Sequence, residues 1–161
     1  MWLQVNYQKI FGGTWSTSPD PVDFRDFTNT DLTKDTSVYV RPDGSPTHLV
    51  RMNGKDVMGF EQLSRQEAVL GEYGGQISSF DWVFSPRGAD GRPVPMFDRQ
   101  TGIINHDIAQ YWLDHYDISR ILTGHPKQLA PQLKGKIHII VGTADTFYLD
   151  GAVHLLQAAV T

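Results

Sequence analysis

The most continuous apolar pattern in the chain lies near its C-terminal end, in LKGKIHIIVGTADTFYLDGAVHLLQAAV. A charged turn, Lys134-Gly135-Lys136, opens into Ile137, Ile139, Ile140 and Val141, a run that predicts a strand covered on both faces. Gly142 breaks it and a short polar loop carries Asp145, after which Leu149, Val153, Leu156 and Val160 recur at helical spacing. The predicted unit is strand, loop, helix, with a carboxylate where the strand ends. At the other end, Leu3, Tyr7, Ile10 and Phe11 form an apolar helical face without a capping residue before it, and Gly12-Gly13 stops it. Thr14-Trp15-Ser16-Thr17 is β-branched or aromatic and predicts a second short strand. Both ends therefore share an α/β rhythm.

The middle is less regular. Pro19 and Pro21 forbid a helix across residues 18–27, so Asp20, Asp23, Asp26 and, nearby, Asp31 sit on a loop. These acids lack the spacing and glycine of an EF-hand, so they are expected to cap turns and pair with Arg25 or Arg51 rather than hold a metal. From about 29 to 100 the chain predicts an irregular α+β insertion punctuated by Pro42-Asp43-Gly44-Ser45-Pro46 and Asp90-Gly91-Arg92-Pro93. Within it, 37–41 and 47–52 predict a hairpin and 61–73 a helix. The alternation of Phe80, Trp82 and Phe84 suits a strand or an aromatic patch. Asn105 can cap a helix with Ile108, Trp112 and Tyr116 on one side, and residues 117–122 and 126–133 predict further short helices.

Composition removes several function classes. The chain has 161 residues, the size of one domain, with 14 basic against 18 acidic residues and a formal charge of −4. No basic stripe invites nucleic acid or an anionic membrane, and no run approaches the ~20 apolar residues that cross a bilayer. Without cysteine there is no disulfide, thiolate nucleophile or Cys-based zinc site, and the compartment stays open. None of the nine serines lies in G-x-S-x-G, the strained turn that exposes a nucleophilic hydroxyl. None of the six histidines (48, 106, 115, 125, 138, 154) has the H-x-x-x-H spacing of a local zinc site; His138 is expected to be a core imidazole and His154 a solvated one. The glycine pairs lack the lysine of a phosphate cradle, and no cofactor is expected.

Two stretches carry a resemblance. Trp2-Leu3-Gln4-Val5-Asn6-Tyr7-Gln8-Lys9-Ile10-Phe11-Gly12-Gly13 followed by Trp15-Ser16-Thr17-Ser18-Pro19-Asp20 resembles the C-terminal half of bacterial esterases of the α/β-hydrolase superfamily, akin to esterase D and S-formylglutathione hydrolase. In that family a helix after the nucleophile elbow, a phrase like HPDLFGG and a strand ending in Ser-Pro come in this order. The likeness covers most of the chain, best at the ends and weakest in the middle. It implies a partial α/β-hydrolase fold, parallel core strands with flanking helices, in one domain over 1–161 with 29–100 as an insertion. It places Gly142-Thr143-Ala144-Asp145 on the loop of the triad acid, so that Asp145, or failing it Asp150, would orient and charge-stabilise a catalytic histidine. Trp15, Ser18 and Asp20 would face a small ester substrate. No residue matches the elbow serine or the triad histidine, so the resemblance implies the acid-bearing piece of a larger serine esterase, inactive alone. Two other expectations stand beside it. The aromatic stretch 39–82 would serve a non-catalytic binding module, and exposed sheet edges would pair copies into a homo-oligomer.

Overall fold

Two strands from opposite ends of the chain find each other. In the computed structural model, which describes residues 1–161, β1 (Thr14–Thr17) runs parallel to β4 (Ile137–Ile140), with Thr14 opposite Ile137 and Thr17 opposite Ile140. Between them an antiparallel hairpin pairs β2 (His48–Met52) with β3 (Lys55–Gly59). Seven α-helices complete this mixed α/β fold: α1 (Trp2–Asn6), α2 (Phe60–Glu67), α3 (Gly75–Phe84), α4 (His106–Tyr116), α5 (Ile118–Gly124), α6 (Pro126–Leu133) and α7 (Leu149–Val160).

The elements bury two apolar clusters. The larger gathers Phe24, Phe27, Phe60, Phe97 and Trp112 among fifteen buried residues, and its rings meet largely edge to face, as the aromatic quadrupole favours. The buried Trp112 Nε1–H donates to Ser85 Oγ at 2.9 Å, so the largest core side chain leaves no polar atom unpaired. Residues 29–100 contribute Leu32, Val38, Tyr39, Phe60 and Phe97 to this cluster, so the stretch is the wall of a core rather than a decoration on one. The smaller cluster packs Val5, Ile118, Leu129, Leu133, Ala152 and Leu156 against Ile137 and Ile139.

Several local expectations are corrected. The first helix ends at Asn6, and it buries Gln4 and Val5, while Leu3, Tyr7, Ile10 and Phe11 are exposed. The hairpin pairs 48–52 with the following strand, 55–59, rather than with 37–41, because Asn53-Gly54, with φ of 52° and 74°, supplies the two left-handed residues a tight hairpin turn requires. Residues Ser37 and Val40 make only isolated bridges, to Ile103 and Pro46. Phe80 and Phe84 lie one turn apart on α3, where period 3.6 brings both against the core and turns Trp82 and Val83 outward, so the alternation there is helical. The segment 61–73 is helical only to Glu67, followed by a 3-10 turn to Leu70. The strand 137–140 is covered on one face only: Ile137 and Ile139 meet the smaller cluster, while Ile140 is 62% exposed on the side where Trp15 and His138 stack, 4.6 Å apart. His138 is therefore a partly exposed imidazole, its Nε2 3.1 Å from the Gly135 carbonyl, and not a core group. His154 is exposed, as expected. Between β4, α6 and α7 an apolar trough of about 1180 Å³ stays open, walled by Ile137, Ile139, Leu133, Val153, Leu156 and Val160.

Asp117 joins the two clusters. It follows α4 directly and caps α5, its Oδ1 accepting the Arg120 amide at 2.8 Å, while its Oδ2 accepts the Phe24 amide at 2.7 Å. Ser119 N–H donates to the Val22 carbonyl at 3.0 Å beside it. Burial pushes the Asp117 carboxyl above the ordinary 3.8, against the pull of its two amide donors. Burial pushes Asp23 the same way, but there hydrogen bonds from Arg25 and Ser119 win and the carboxyl lies below that value. The signs follow from proton linkage. Asp23 contributes stability above its unfolded value that is lost as pH falls through the folded one. Asp117 holds its proton more tightly folded than unfolded, so its contribution is full below 3.8 and is lost as pH rises through the raised value. Carboxyl carbon titration by NMR will show the two midpoints on opposite sides of 3.8. Replacing Asp117 by Ala strands the buried Phe24 amide at a cost of about 1–3 kcal/mol, with about 1 kcal/mol more from the lost cap, readable in denaturant midpoints.

Candidate functional site

Both parallel strands end on the same side of the sheet, and the loops that leave them carry the residues of interest. Beyond β1 the chain turns at Ser18, whose φ is 41° and whose amide donates to the Ile140 carbonyl at 2.8 Å. Asp20 follows on this loop. Beyond β4 the loop 142–148 leads into α7. Asp145 shapes it: Oδ1 accepts the amides of Phe147 at 2.9 Å and Leu149 at 3.2 Å, which ties the loop to the first turn of α7. Its Oδ2 accepts no hydrogen bond within the chain.

A residue about ninety positions away holds this loop in place. Arg51, on β2, donates its backbone N–H to the Thr146 carbonyl at 2.9 Å and its Nε–H to the Asp145 carbonyl at 2.7 Å. Its Nη2 meets Asp150 Oδ1 at 2.6 Å, and its guanidinium lies 4.4 Å from the centre of the Tyr148 ring. The Tyr148 hydroxyl bonds to Asp56 on β3; burial, with the Asp56 bond second, raises the phenol to about 12. Tyr148 adopts a left-handed φ of 58°, which the clamp on either side enforces. Asp150, the alternative to Asp145, is thus committed to Arg51. Arg25 grips Asp23 through two bonds, 2.8 Å from Nε and 2.5 Å from Nη2. The expectation that the acids of residues 20–31 pair with Arg25 or Arg51 is met through Arg25 on Asp23, while Arg51 goes to Asp150.

The four residues singled out from sequence are only partly brought together. Ser18 and Asp145 stand at the carboxyl end of the strand pair. Asp20 lines a narrow slot of about 50 Å³ whose walls include Phe27, Phe60, Phe80, Phe147 and Leu149. The last two of these belong to the Asp145 loop and the start of α7, so slot and acid share one scaffold. Burial on one side raises the Asp20 carboxyl above its ordinary value. Trp15 stands apart: it is 70% exposed, stacked on His138 on the open sheet face, and it does not line the slot. No histidine contacts Asp145 through a hydrogen bond or ion pair. No cluster of three His, Cys, Asp or Glu groups is placed to share a metal ion. The Arg51 clamp has no local signal in the sequence, since its partners lie 94 and 99 residues away. No protein-family model, curated protein or solved structure matches the chain.

The geometry separates two functions of one carboxylate. In Asp145→Asn the amide oxygen retains the bonds to Phe147 and Leu149, whereas Asp145→Ala removes them, a loss of about 1 kcal/mol, the usual size for a helix cap. Hydrogen exchange at the Phe147 and Leu149 amides will therefore quicken in the alanine variant, and in Arg51→Met, but stay near the parent rate in the asparagine variant.

Proposed function

We propose that this chain is the acid-bearing part of a serine esterase of the α/β-hydrolase kind, with Asp145 as the triad acid. The observation that carries the reading is the place of Asp145: it sits in the loop leaving the carboxyl end of β4, the end where open parallel sheets gather their reacting groups. One carboxylate oxygen fixes the loop and the other is free to accept the Nδ1–H of an imidazole. The Ser18 to Asp20 loop reaches the same end from the neighbouring strand. The attacking hydroxyl and the imidazole would come from outside these elements, on strands added beyond the two present, and a small ester would be the substrate.

On this reading the isolated chain lacks two members of the catalytic unit, and such losses cost about six orders of magnitude. The purified chain is expected to hydrolyse 4-nitrophenyl acetate no faster than a heat-treated control and to take up no fluorophosphonate. Covalent labelling of any of its serines would overturn the reading. When the chain is joined to segments that supply an elbow serine and a histidine, Asp145→Asn should lower kcat by about 10⁴ while KM holds.

The open trough beside β4 favours a second reading, in which copies of the chain pair through their sheet edges. Light scattering decides it. A mass of twice 18.1 kDa that returns to 18.1 kDa in Ile140→Lys supports pairing, and a monomer at high micromolar concentration ends it.

A further inference from the structure

The slot beside Asp20 has a composition of its own. Its walls are almost wholly apolar, Phe27, Phe60, Phe80 and Phe147 among them, and its polar members are Asp20, Thr28 and Gln76. Thr28 spends its hydroxyl on the Phe27 carbonyl at 2.8 Å. The Asp20 carboxylate makes no hydrogen bond or ion pair within the chain, although every other acid on this loop is engaged: Asp23 with Arg25, Asp26 with the Asn29 amide, Asp31 with Lys34. Asp20 is open to solvent on one side and borders the aromatic-walled slot on the other, so its carboxylate is free to take a donor from a ligand seated there.

We infer that the slot is a binding site for a short aliphatic amine, its alkyl chain between the phenylalanine rings and its ammonium on Asp20. Size sets the chain length. A water needs roughly 10–15 Å³ of such space and benzene occupies a cavity of about 150 Å³. The slot, at about 50 Å³, holds a chain of a few carbons and excludes a phenyl ring. Charge sets the head group: Asp20 attracts an ammonium and repels a carboxylate, and no Lys or Arg of the chain is paired with it to compete. The inference needs no ester chemistry, so it stands or falls apart from the hydrolase reading.

The test is a titration of the whole chain, labelled at its Ile and Leu methyls, with ethylammonium, butylammonium, hexylammonium and butyrate. Shifts are expected at Ile77, Leu63 and Leu149, which line the slot, with affinity rising about fourfold per methylene up to butyl and no further gain at hexyl. Butyrate should bind several-fold more weakly than butylammonium. Asp20→Asn, at an exposed position where folding is not at stake, should erase that difference and keep the dependence on chain length. Equal binding of butyrate and butylammonium, a flat chain-length series, or shifts confined to residues outside the slot would each overturn the inference.

Discussion

Asp117 is the point on which the arrangement of this protein depends. One carboxylate, buried and two-handed, accepts an amide from the segment that opens the larger core and an amide from the helix that opens the smaller one. The apolar clusters on either side have few reasons of their own to adopt one mutual orientation, since hydrophobic attraction is non-directional. Two amide donors at 2.7 and 2.8 Å supply direction. They also explain why an acid whose charge is disfavoured by its surroundings sits there at all: an apolar side chain would leave the buried Phe24 N–H without an acceptor, a loss comparable to that of a core methyl group.

From that joint the rest follows in order. With 21–27 held against 117–120, β1 is delivered beside the start of β4, and the parallel pair closes over a crossover of more than a hundred residues. The larger core, built inside that crossover, ends in a hairpin whose Arg51 returns to the smaller core and seizes the loop after β4. Asp145 is thus fixed from two sides, by its own bonds to α7 and by a cation anchored in the other cluster. A carboxylate held this way has its orientation paid for by folding, which is the condition for aiming a second group at a reacting atom.

What the sequence disclosed divides along the same line. Elements whose signal is local were legible: the strand at Ile137, the helix capped by Asn105, the short helices at 118–124 and 126–133, and the carboxylate at the end of β4. The Asn53-Gly54 turn was equally local, yet the proline-flanked Asp43-Gly44 drew the hairpin to the wrong partner, because turn chemistry alone does not say which strands pair. Errors elsewhere came from reading periodicity without depth. Leu3, Tyr7, Ile10 and Phe11 line up on a helical wheel, but the helix stops at Asn6 and the core takes Gln4 and Val5 instead. Phe80, Trp82 and Phe84 alternate and also satisfy i, i+4, and the contacts of Phe80 with Phe27 and of Phe84 with Trp112 decide for the helix. Arg51 was beyond reach, since a contact between residues about a hundred apart leaves no trace in local spacing.

The parallel pair itself is the remaining constraint. Parallel strands are normally covered on both faces, and β1 with β4 is covered on one. Its other face presents Trp15 stacked on His138, and beside β4 the trough leaves Ile139, Val153 and Leu156 bordering open space. Such a surface combines unpaired strand backbone with an apolar wall, and a helix satisfies only the second while a strand satisfies both. A strand added there, whether from another part of a longer protein or from a second copy, would lengthen the sheet on the side of β4 and bring its own carboxyl-end loop next to Asp145. Asp145 Oδ1 is held by the Phe147 and Leu149 amides while Oδ2 accepts no bond within the chain, so a loop brought there would meet a carboxylate oxygen already oriented and unoccupied.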